Sequence, residues 1–271
     1  GIAFPSCTSK TYTGSSQELF AAHTSGEYTN SAISGTNVGD YTGDLTPSAN
    51  YQWNSGSSVT SARTLTCSIT KSNTTTTMSA VTKTYTGSAQ GASGASAKLS
   101  SNNSTISGAA FTYAYYSGTS CSGTALSAAP TTVGSYSVKA TLTGTSNYNT
   151  STSSCVTYTM NKKKATITLG TTPSLTFGTD GTLTYTYDGD GTVSCASSDT
   201  SAVTCSVDAT NNKVTLHPVK ATTSNVTITV SAGNGTNYSA ADNKTATVTV
   251  GRKGIAFPSC TSKTYTGSSQ E

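Results

Sequence analysis

Residues 254–271 repeat residues 1–18 without a single difference: both read GIAFPSCTSKTYTGSSQE. Gly1 and Gly254 stand at the start of the two copies, so the sequence has a period of 254 − 1 = 253 residues. A fixed period is the mark of architectures in which each unit stacks on its neighbours. The expectation is a window on a longer, continuous repeating polymer, holding one period and the start of the next. The functional question then becomes what an array is for, rather than which reaction a single domain carries out.

Ser and Thr make up 102 of the 271 residues, and charged residues only 10%. Chains this poor in charge can be disordered, but disordered chains also lack aromatic and β-branched residues. Here there are 15 Tyr and many alternating Val, Ile and Thr, which suit a pleated, half-buried surface. The net charge of +4 is too small for a nucleic-acid partner, whose affinity needs many phosphate contacts. The longest basic cluster is Lys162-Lys163-Lys164. No apolar run is long enough to span a membrane as a helix, and any export signal or wall anchor is expected outside these residues.

Seven cysteines become six per period once the repeat is subtracted, because Cys260 is the second copy of Cys7. The six are Cys7, Cys67, Cys121, Cys155, Cys195 and Cys205, two to a module; Cys260 is expected to find its partner in the next repeat. None forms a C-x-x-C pair, and His23 and His217 lie far from them in sequence, so no zinc site and no cofactor is expected. Paired cysteines in small Thr-rich β modules read as disulfides made outside the cytosol.

The phrase KTYTGS recurs at Lys10–Ser15, Lys83–Ser88 and Lys263–Ser268. A second phrase, T-x-V-G-x-Y, recurs at Thr36–Tyr41 and Thr131–Tyr136. Two signals in the same order make the first two modules diverged relatives; the third lacks both. Basic residues mark the junctions, which places modules at 1–72, 73–162 and 163–253, with 254–271 as the first strand of the next copy. Within each module apolar residues alternate with small hydroxyls: Leu65, Cys67, Ile69; Phe111, Tyr113, Tyr115; Tyr136, Val138, Ala140, Leu142; Leu183, Tyr185, Tyr187; Ala246, Val248, Val250. That period of two describes half-buried strands. Ser55-Gly56, Asp188-Gly189-Asp190-Gly191 and Asn234-Gly235 read as turns between them. The fold class expected is all-β, a tandem of small two-sheet sandwiches.

These phrases resemble the bacterial Ig-like repeat modules of large secreted surface proteins. The K-T-Y-T-G opening, the late T-x-V-G-x-Y and the Asn147-Tyr148-Asn149 segment are similar to MBG/YDG-type domains. Tyr51-Gln52-Trp53-Asn54 occurs in close cousins of those domains. The third module, with Ser197-Ser198-Asp199-Thr200 and Asn237-Tyr238, resembles another bacterial Ig-like group. The resemblance implies three tandem Ig-like β-sandwiches on an extracellular array; the cysteines depart from the usual pattern of such repeats. In an Ig-like sandwich the first and last strands run side by side, which implies a bridge from Cys7 to Cys67. Cys67 also shares the inward parity of Leu65 and Ile69. Cys155 is off the parity of its strand and is left with Cys121, in a Gly/Ser loop, while Cys195 and Cys205 suggest a bridged hairpin.

Catalysis has little support. There is no G-x-S-x-G elbow, and His23 and His217 have no spacing that suggests a shared site. Asp188-Gly-Asp190-Gly has half the carboxylates of a calcium loop and reads as a turn. Gln17 and Gln90 recur at matching positions, but each follows its nearest Thr on one strand, which argues against a Thr–Gln cross-link. Trp53 with Tyr113, Tyr115 and Tyr116 would allow sugar stacking if exposed together. The expectation is a non-enzymatic structural repeat of an extracellular fibre or cell-surface stalk. Its partners are neighbouring copies and lateral self-association. An adhesin that grips a glycan or host protein, and a non-covalent filament completed by strand donation, are the alternatives.

Overall fold

The computed structural model of the protein describes residues 1–54, 58–260 and 262–269. The expected Ser55-Gly56 turn lies outside them, as do Thr261, Gln270 and Glu271. Among the described residues the secondary structure is strand throughout, with no α-helix. The chain forms two compact units, Gly1–Asn161 and Lys162–Glu271.

The first unit contains two hydrophobic cores. The first is built by β1 (Lys10–Thr11), β2 (Gln17–Phe20), β3 (Tyr28–Thr29), β4 (Ile33–Gly35), β5 (Gly39–Pro47), β6 (Trp53–Asn54), β7 (Ser58–Val59) and β8 (Arg63–Thr70). The main sheet runs β1-β8-β5-β3, with β2–β4 and β6–β7 as two-stranded ribbons. β8 follows its period of two: Leu65, Cys67 and Ile69 are buried between exposed or half-buried Thr and Ser. They pack with Leu45 and Trp53, which are almost fully enclosed. β5 and β8 are antiparallel, whereas β1 joins β8 in parallel through Lys10↔Ile69 and Thr11↔Thr70. The KTYTG phrase therefore opens the sheet beside its last strand.

The second core follows through β9 (Thr74–Thr77), β10 (Val81–Thr84), β11 (Ser96–Leu99), β12 (Phe111–Ser117), β13 (Gly134–Leu142), β14 (Ser151–Thr152) and β15 (Val156–Asn161). Its sheet runs β10-β15-β13-β12, with β14 on β13 and a β9–β11 ribbon. The opening strand β10 again lies parallel to the closing strand β15. Tyr115, Val138, Tyr158 and Met160 are the buried centre.

The T-x-V-G-x-Y phrase is a tyrosine corner in both cores. The Tyr41 hydroxyl donates to the Asn37 carbonyl at 2.7 Å and accepts the Asn37 N–H at 3.1 Å. The Tyr136 hydroxyl reaches the Thr132 carbonyl at 3.2 Å and the Thr132 hydroxyl at 2.8 Å. Each ties the start of the penultimate long strand back onto the turn that leads into it, the position such corners occupy in Ig-like sandwiches. Gly35 makes room for the first: a Cβ there would collide with the Tyr41 ring.

The second unit contains β16 (Lys163–Lys164), β17 (Ile167–Leu169), β18 (Leu175–Thr176), β19 (Gly181–Tyr187), β20 (Val193–Ser197), β21 (Val203–Asp208), β22 (Lys213–Pro218), β23 (Thr222–Ala232), β24 (Tyr238–Ser239) and β25 (Lys244–Gly251). Two four-stranded sheets, β17-β19-β22-β21 and β18-β25-β23-β20, enclose a core of Ile167, Leu183, Val214, Leu216, Ile228 and Val230. Taken in chain order these are the ABED and CFG sheets of the immunoglobulin fold, with β18 added in parallel beside the last strand. The all-β class expected from the alternation, and the Ig-like sandwich implied by the resemblance, are what the chain adopts. Outward faces are joined by hydroxyl pairs across strands: Ser9–Ser68 (2.8 Å), Thr77–Ser96 (3.0 Å), Thr141–Thr152 (3.0 Å) and Ser194–Ser231 (2.9 Å).

Trp53 is the only tryptophan and sits in the first core, so its fluorescence follows that core alone. Tyr41→Phe removes a hydroxyl bonded to backbone on both sides and should destabilise the core by about 1 kcal/mol. The expected readout is a lower urea midpoint of Trp53 fluorescence with unchanged slope. An unchanged midpoint would mean the corner contributes nothing.

Candidate functional site

Three disulfides and three strand clamps are the features that act on the chain as a whole. Cys7 is bonded to Cys67 (Cα–Cα 5.3 Å), Cys121 to Cys155 (5.9 Å) and Cys195 to Cys205 (6.2 Å). Cys67 points into the first core from β8, and Cys7 reaches it from the segment that leads into β1. The bridge therefore ties the opening of the sheet to its closing strand.

Cys155 directly precedes β15, so the parity of that strand does not govern it. Cys121 sits in the loop after β12 with a left-handed backbone (φ 48°), its N–H donating to the buried Ser137 hydroxyl at 2.8 Å. β12 and β15 flank β13, and this bridge joins the two flanks across it. Cys195 and Cys205 do not close a hairpin, contrary to the reading from their spacing. β20 pairs with β23 and β21 with β22, at the edges of opposite sheets, so this bridge fastens one sheet to the other. For separations of 60, 34 and 10 residues, loop entropy assigns about 4, 4 and 3 kcal/mol. Against a domain stability of about 5–15 kcal/mol, each is a large share. Cys260 is free and exposed.

The clamps are short parallel pairings between a segment entering a core and the segment just before that core's last strand. Ile2 pairs with Trp53: the Ile2 N–H donates to the Gln52 carbonyl (2.8 Å) and the Asn54 N–H to the Ile2 carbonyl (2.7 Å). Ser72 pairs with Tyr148 in the same way, through Ser72 N–H to Asn147 O (3.1 Å) and Asn149 N–H to Ser72 O (2.9 Å). Lys163 pairs with Tyr238, through Lys163 N–H to Asn237 O and Ala165 N–H to Ser239 O, both 3.1 Å. An aromatic residue stands opposite the entering chain each time. In two clamps the preceding lysine adds a further bond of the same form: Lys71 Nζ donates to Thr145 O (2.8 Å) and Lys162 Nζ to Gly235 O (2.6 Å). Each acceptor lies three residues before the aromatic.

Within the first unit the clamp at Ser72 is bracketed by bonds between the two cores. The Asn147 side chain accepts the Val38 N–H (2.9 Å) and donates to Asn37 Oδ1 (3.1 Å). On another side, Ser101 donates to Tyr12 O (2.6 Å) and Asn102 to Thr13 O (2.8 Å). The loops of one core thus grip the other on two sides, leaving a cleft of about 370 Å³ between Tyr12, Leu99, Asn102 and Tyr148.

In the second unit the Asp188-Gly-Asp190-Gly turn holds the clamp with its carboxylates. Asp188 accepts the Thr166 N–H (2.6 Å) and the Lys163 ammonium (3.0 Å). Asp190 accepts the N–H groups of Asn237 (2.7 Å) and Tyr238 (3.1 Å). These donors hold both carboxyls below the usual carboxylate range, the Thr166 amide leading for Asp188 and the Asn237 amide for Asp190. Gly235 is required opposite, since a Cβ there would collide with the Asp190 carboxylate.

The other candidate groups are scattered. His23 bonds Asn30 and the Ala21 carbonyl, and His217 pairs with Asp180 at an exposed site. Among the described residues no three His, Cys, Asp or Glu side chains converge as metal ligands would. Gln17 donates to the Thr11 carbonyl and Gln90 to the Thr86 hydroxyl, both local bonds. Trp53 is buried against Phe4 and Tyr28, and Tyr115 lies in the other core, so they form no shared sugar-stacking face.

No family model and no curated protein matches the sequence. Among solved structures, surface layer protein SbsC, domains 1–6, is 19% identical over 93% of this chain and 40% of that one, with a TM-score of 0.35. An I-band fragment from titin is 10% identical over 92% and 97% of the two chains, at 0.30. Drosophila N-cadherin EC1-4 is 12% identical over 83% and 59%, also at 0.30. This chain spans less than half the length of the first. Scores this low carry no argument, and the fold rests on the strand pairings above.

The carboxylates at the third clamp give it a definite pH dependence. Folded-state pKa values below the unfolded value, about 3.9, contribute stability that is present above that value. The contribution is lost as pH falls through the folded one. Asp190→Ala should therefore lower the calorimetric midpoint of the second unit near neutral pH, with the gap to wild type narrowing as pH falls below about 4. A gap that stays constant down to the acid limit would show that the ionised carboxylate is not what holds the Asn237 and Tyr238 amides.

Proposed function

We propose that the chain is a structural repeat of an extracellular fibre or cell-surface stalk, made of three Ig-like modules at 1–72, 73–162 and 163–253. The reading rests most on the Cys7–Cys67 bridge. Tension entering a module through its opening segment and leaving through its closing strand passes directly between Cys7 and Cys67, so the core between them is bypassed. The two other bridges and the three clamps support the same role. Within the first unit, the parallel pairing of Ser72 with Tyr148 leaves little slack between its two cores. In a linear array, stability is the sum of module stabilities and nearest-neighbour interfaces, and within the first unit the clamp at Ser72 with the Asn147–Val38 and Ser101–Tyr12 bonds supplies a term of the second kind. Disulfides of this number belong to an oxidising compartment, and sparse Lys and Arg leave few sites for trypsin-like proteases. In this reading the protein acts by setting length and resisting force.

Single-molecule stretching of the full chain tests the proposal. Unfolding of the first module under oxidising conditions should release only the few residues outside its bridge. Adding a reductant that cleaves Cys7–Cys67 frees a loop of 60 residues, about 200 Å of extra contour at roughly 3.4 Å per residue. Equal release with and without reductant would sink the load-bypass reading. Native material should also resist trypsin until reduced.

A further inference from the structure

Asn234-Gly235 is the one Asn-Gly pair in the sequence, and it sits in the loop between β23 and β24, facing the Asp188-Gly-Asp190-Gly turn. Asparagine carries an amide that the backbone after it can attack, and glycine leaves the attacking nitrogen unhindered because it has no Cβ. Asn234 is exposed, so the water that completes such a reaction is at hand. What restrains the pair is bonding. The Gly235 N–H donates to the Tyr238 carbonyl (3.0 Å), and the Asn234 side-chain oxygen accepts the Ala240 N–H (2.9 Å). The Gly235 carbonyl accepts the Lys162 ammonium (2.6 Å). Nucleophile and electrophile are thus each committed to another partner. Tyr238, which holds the nitrogen, is held in turn by Asp190 and by its pairing with Lys163.

We propose that Asn234-Gly235 is a self-modification site gated by the third clamp: closed, it is inert; opened, it deamidates and cannot be clamped again. The reaction needs only water. The Gly235 nitrogen attacks Cγ of Asn234, the N–Cγ bond forms, and the Cγ–Nδ2 bond breaks. Nδ2 leaves as ammonia, carrying the proton that the Gly235 nitrogen gives up. Water then opens the cyclic imide. Adding at the backbone carbonyl of Asn234, it breaks the original peptide bond and leaves an isoaspartyl link through Cγ; adding at Cγ, it leaves aspartate. In both cases the hydroxyl goes to the carbonyl carbon and the hydrogen to the Gly235 nitrogen. The observed rate is that of the open pair scaled by how often the clamp opens, because local openings occur without global unfolding. The inference stands on the third clamp alone and is independent of the fibre reading.

The loop has no room for either product. A Cβ at Gly191 would strike the Gly233 carbonyl, and one at Gly235 the Asp190 carboxylate, so the turn and the loop already meet at backbone distance. The Gly233 N–H also donates to the Thr192 carbonyl (3.0 Å), which fixes the loop on its other side. An isoaspartyl link adds one carbon to the main chain inside this fit. Both products place a new carboxylate on the residue next to Gly235, close to Asp190, and neighbouring like charges disfavour each other. Asp190 is the group that secures the Asn237 and Tyr238 amides. An opened clamp therefore stays open, and the module keeps a chemical record of the event.

The test follows Asn234 in the full chain kept in mildly alkaline buffer, where amide deprotonation drives cyclisation. Timed samples are unfolded, reduced and cut with trypsin. The Ala221–Lys244 peptide is then scored by mass for exchange of the Asn234 amide for a carboxyl, and for isoaspartate with the methyltransferase specific to it. The folded chain should react at least about tenfold more slowly than the same chain in urea with reductant. Asp190→Ala should react about fivefold or more faster than wild type, the factor that one hydrogen bond of ordinary net strength is worth. Hydrogen exchange at Ile228, in the core of that module, should be unchanged, which separates opening of the clamp from loss of the module. Should Asp190→Ala unfold the module, Lys162→Ala decides: it removes the bond to the Gly235 carbonyl and should quicken the reaction by about twofold or more. The fully reacted chain should exchange rapidly at Tyr238 and slowly at Ile228. Equal rates in the folded chain and in urea, or rates that neither substitution moves, overturn the gating. A reacted chain that still protects the Tyr238 amide overturns the irreversibility.

Discussion

Pairing an early strand of a core, in parallel, with its closing strand is the constraint on which the rest of this protein depends. β1 beside β8, β10 beside β15 and β18 beside β25 are the same arrangement in three settings. A sandwich with an early strand beside its last one admits force close to where it releases it, so resistance depends on how those two strands are held. In the first core the tie is covalent, through Cys7 and Cys67. The other two cores place their sulfur bonds elsewhere, across β13 and between the two sheets, so their parallel pairings depend on hydrogen bonds alone.

The clamps give this arrangement a second layer. Each entering segment pairs with the residues just before the last strand, so a core is closed over by the chain that leads into it. Trp53, Tyr148 and Tyr238 occupy one structural position, although their burial differs: Trp53 is enclosed in its core, while the two tyrosines are half-buried at junctions. Asp190 secures the third clamp through backbone amides, and Asn147 performs the corresponding task in the first unit as a neutral side chain.

The strands were legible because burial on one face imposes a period of two that survives in sequence. Leu65, Cys67 and Ile69 show it, as do Ala246, Val248 and Val250, and it suffices for the all-β class. The KTYTG and V-G-x-Y phrases could be seen to recur, but their physical reasons lie in contacts. One needs a strand some 60 residues away; the other is a hydroxyl reaching back four residues. The clamps left no local period at all, since Ser72 and Tyr148 are far apart in the chain and pair over a single residue. Cys195 and Cys205 misled for a related reason: ten residues suffice to turn a chain onto the opposite sheet as well as back along the same one. Composition cannot tell an exposed ring from one under Phe4 and Tyr28, which is why Trp53 reads as a sugar platform in the sequence and is a core residue in the fold.

The hydroxyl pairs that line the outward faces, Thr141 with Thr152 and Ser194 with Ser231 among them, join neutral groups. Ion pairs are confined to three exposed sites among the described residues. Mobile ions screen charges and leave such neutral pairs almost untouched. A strand surface of this composition keeps the same cohesion from fresh water to brine, so the material changes its environment without changing its grip.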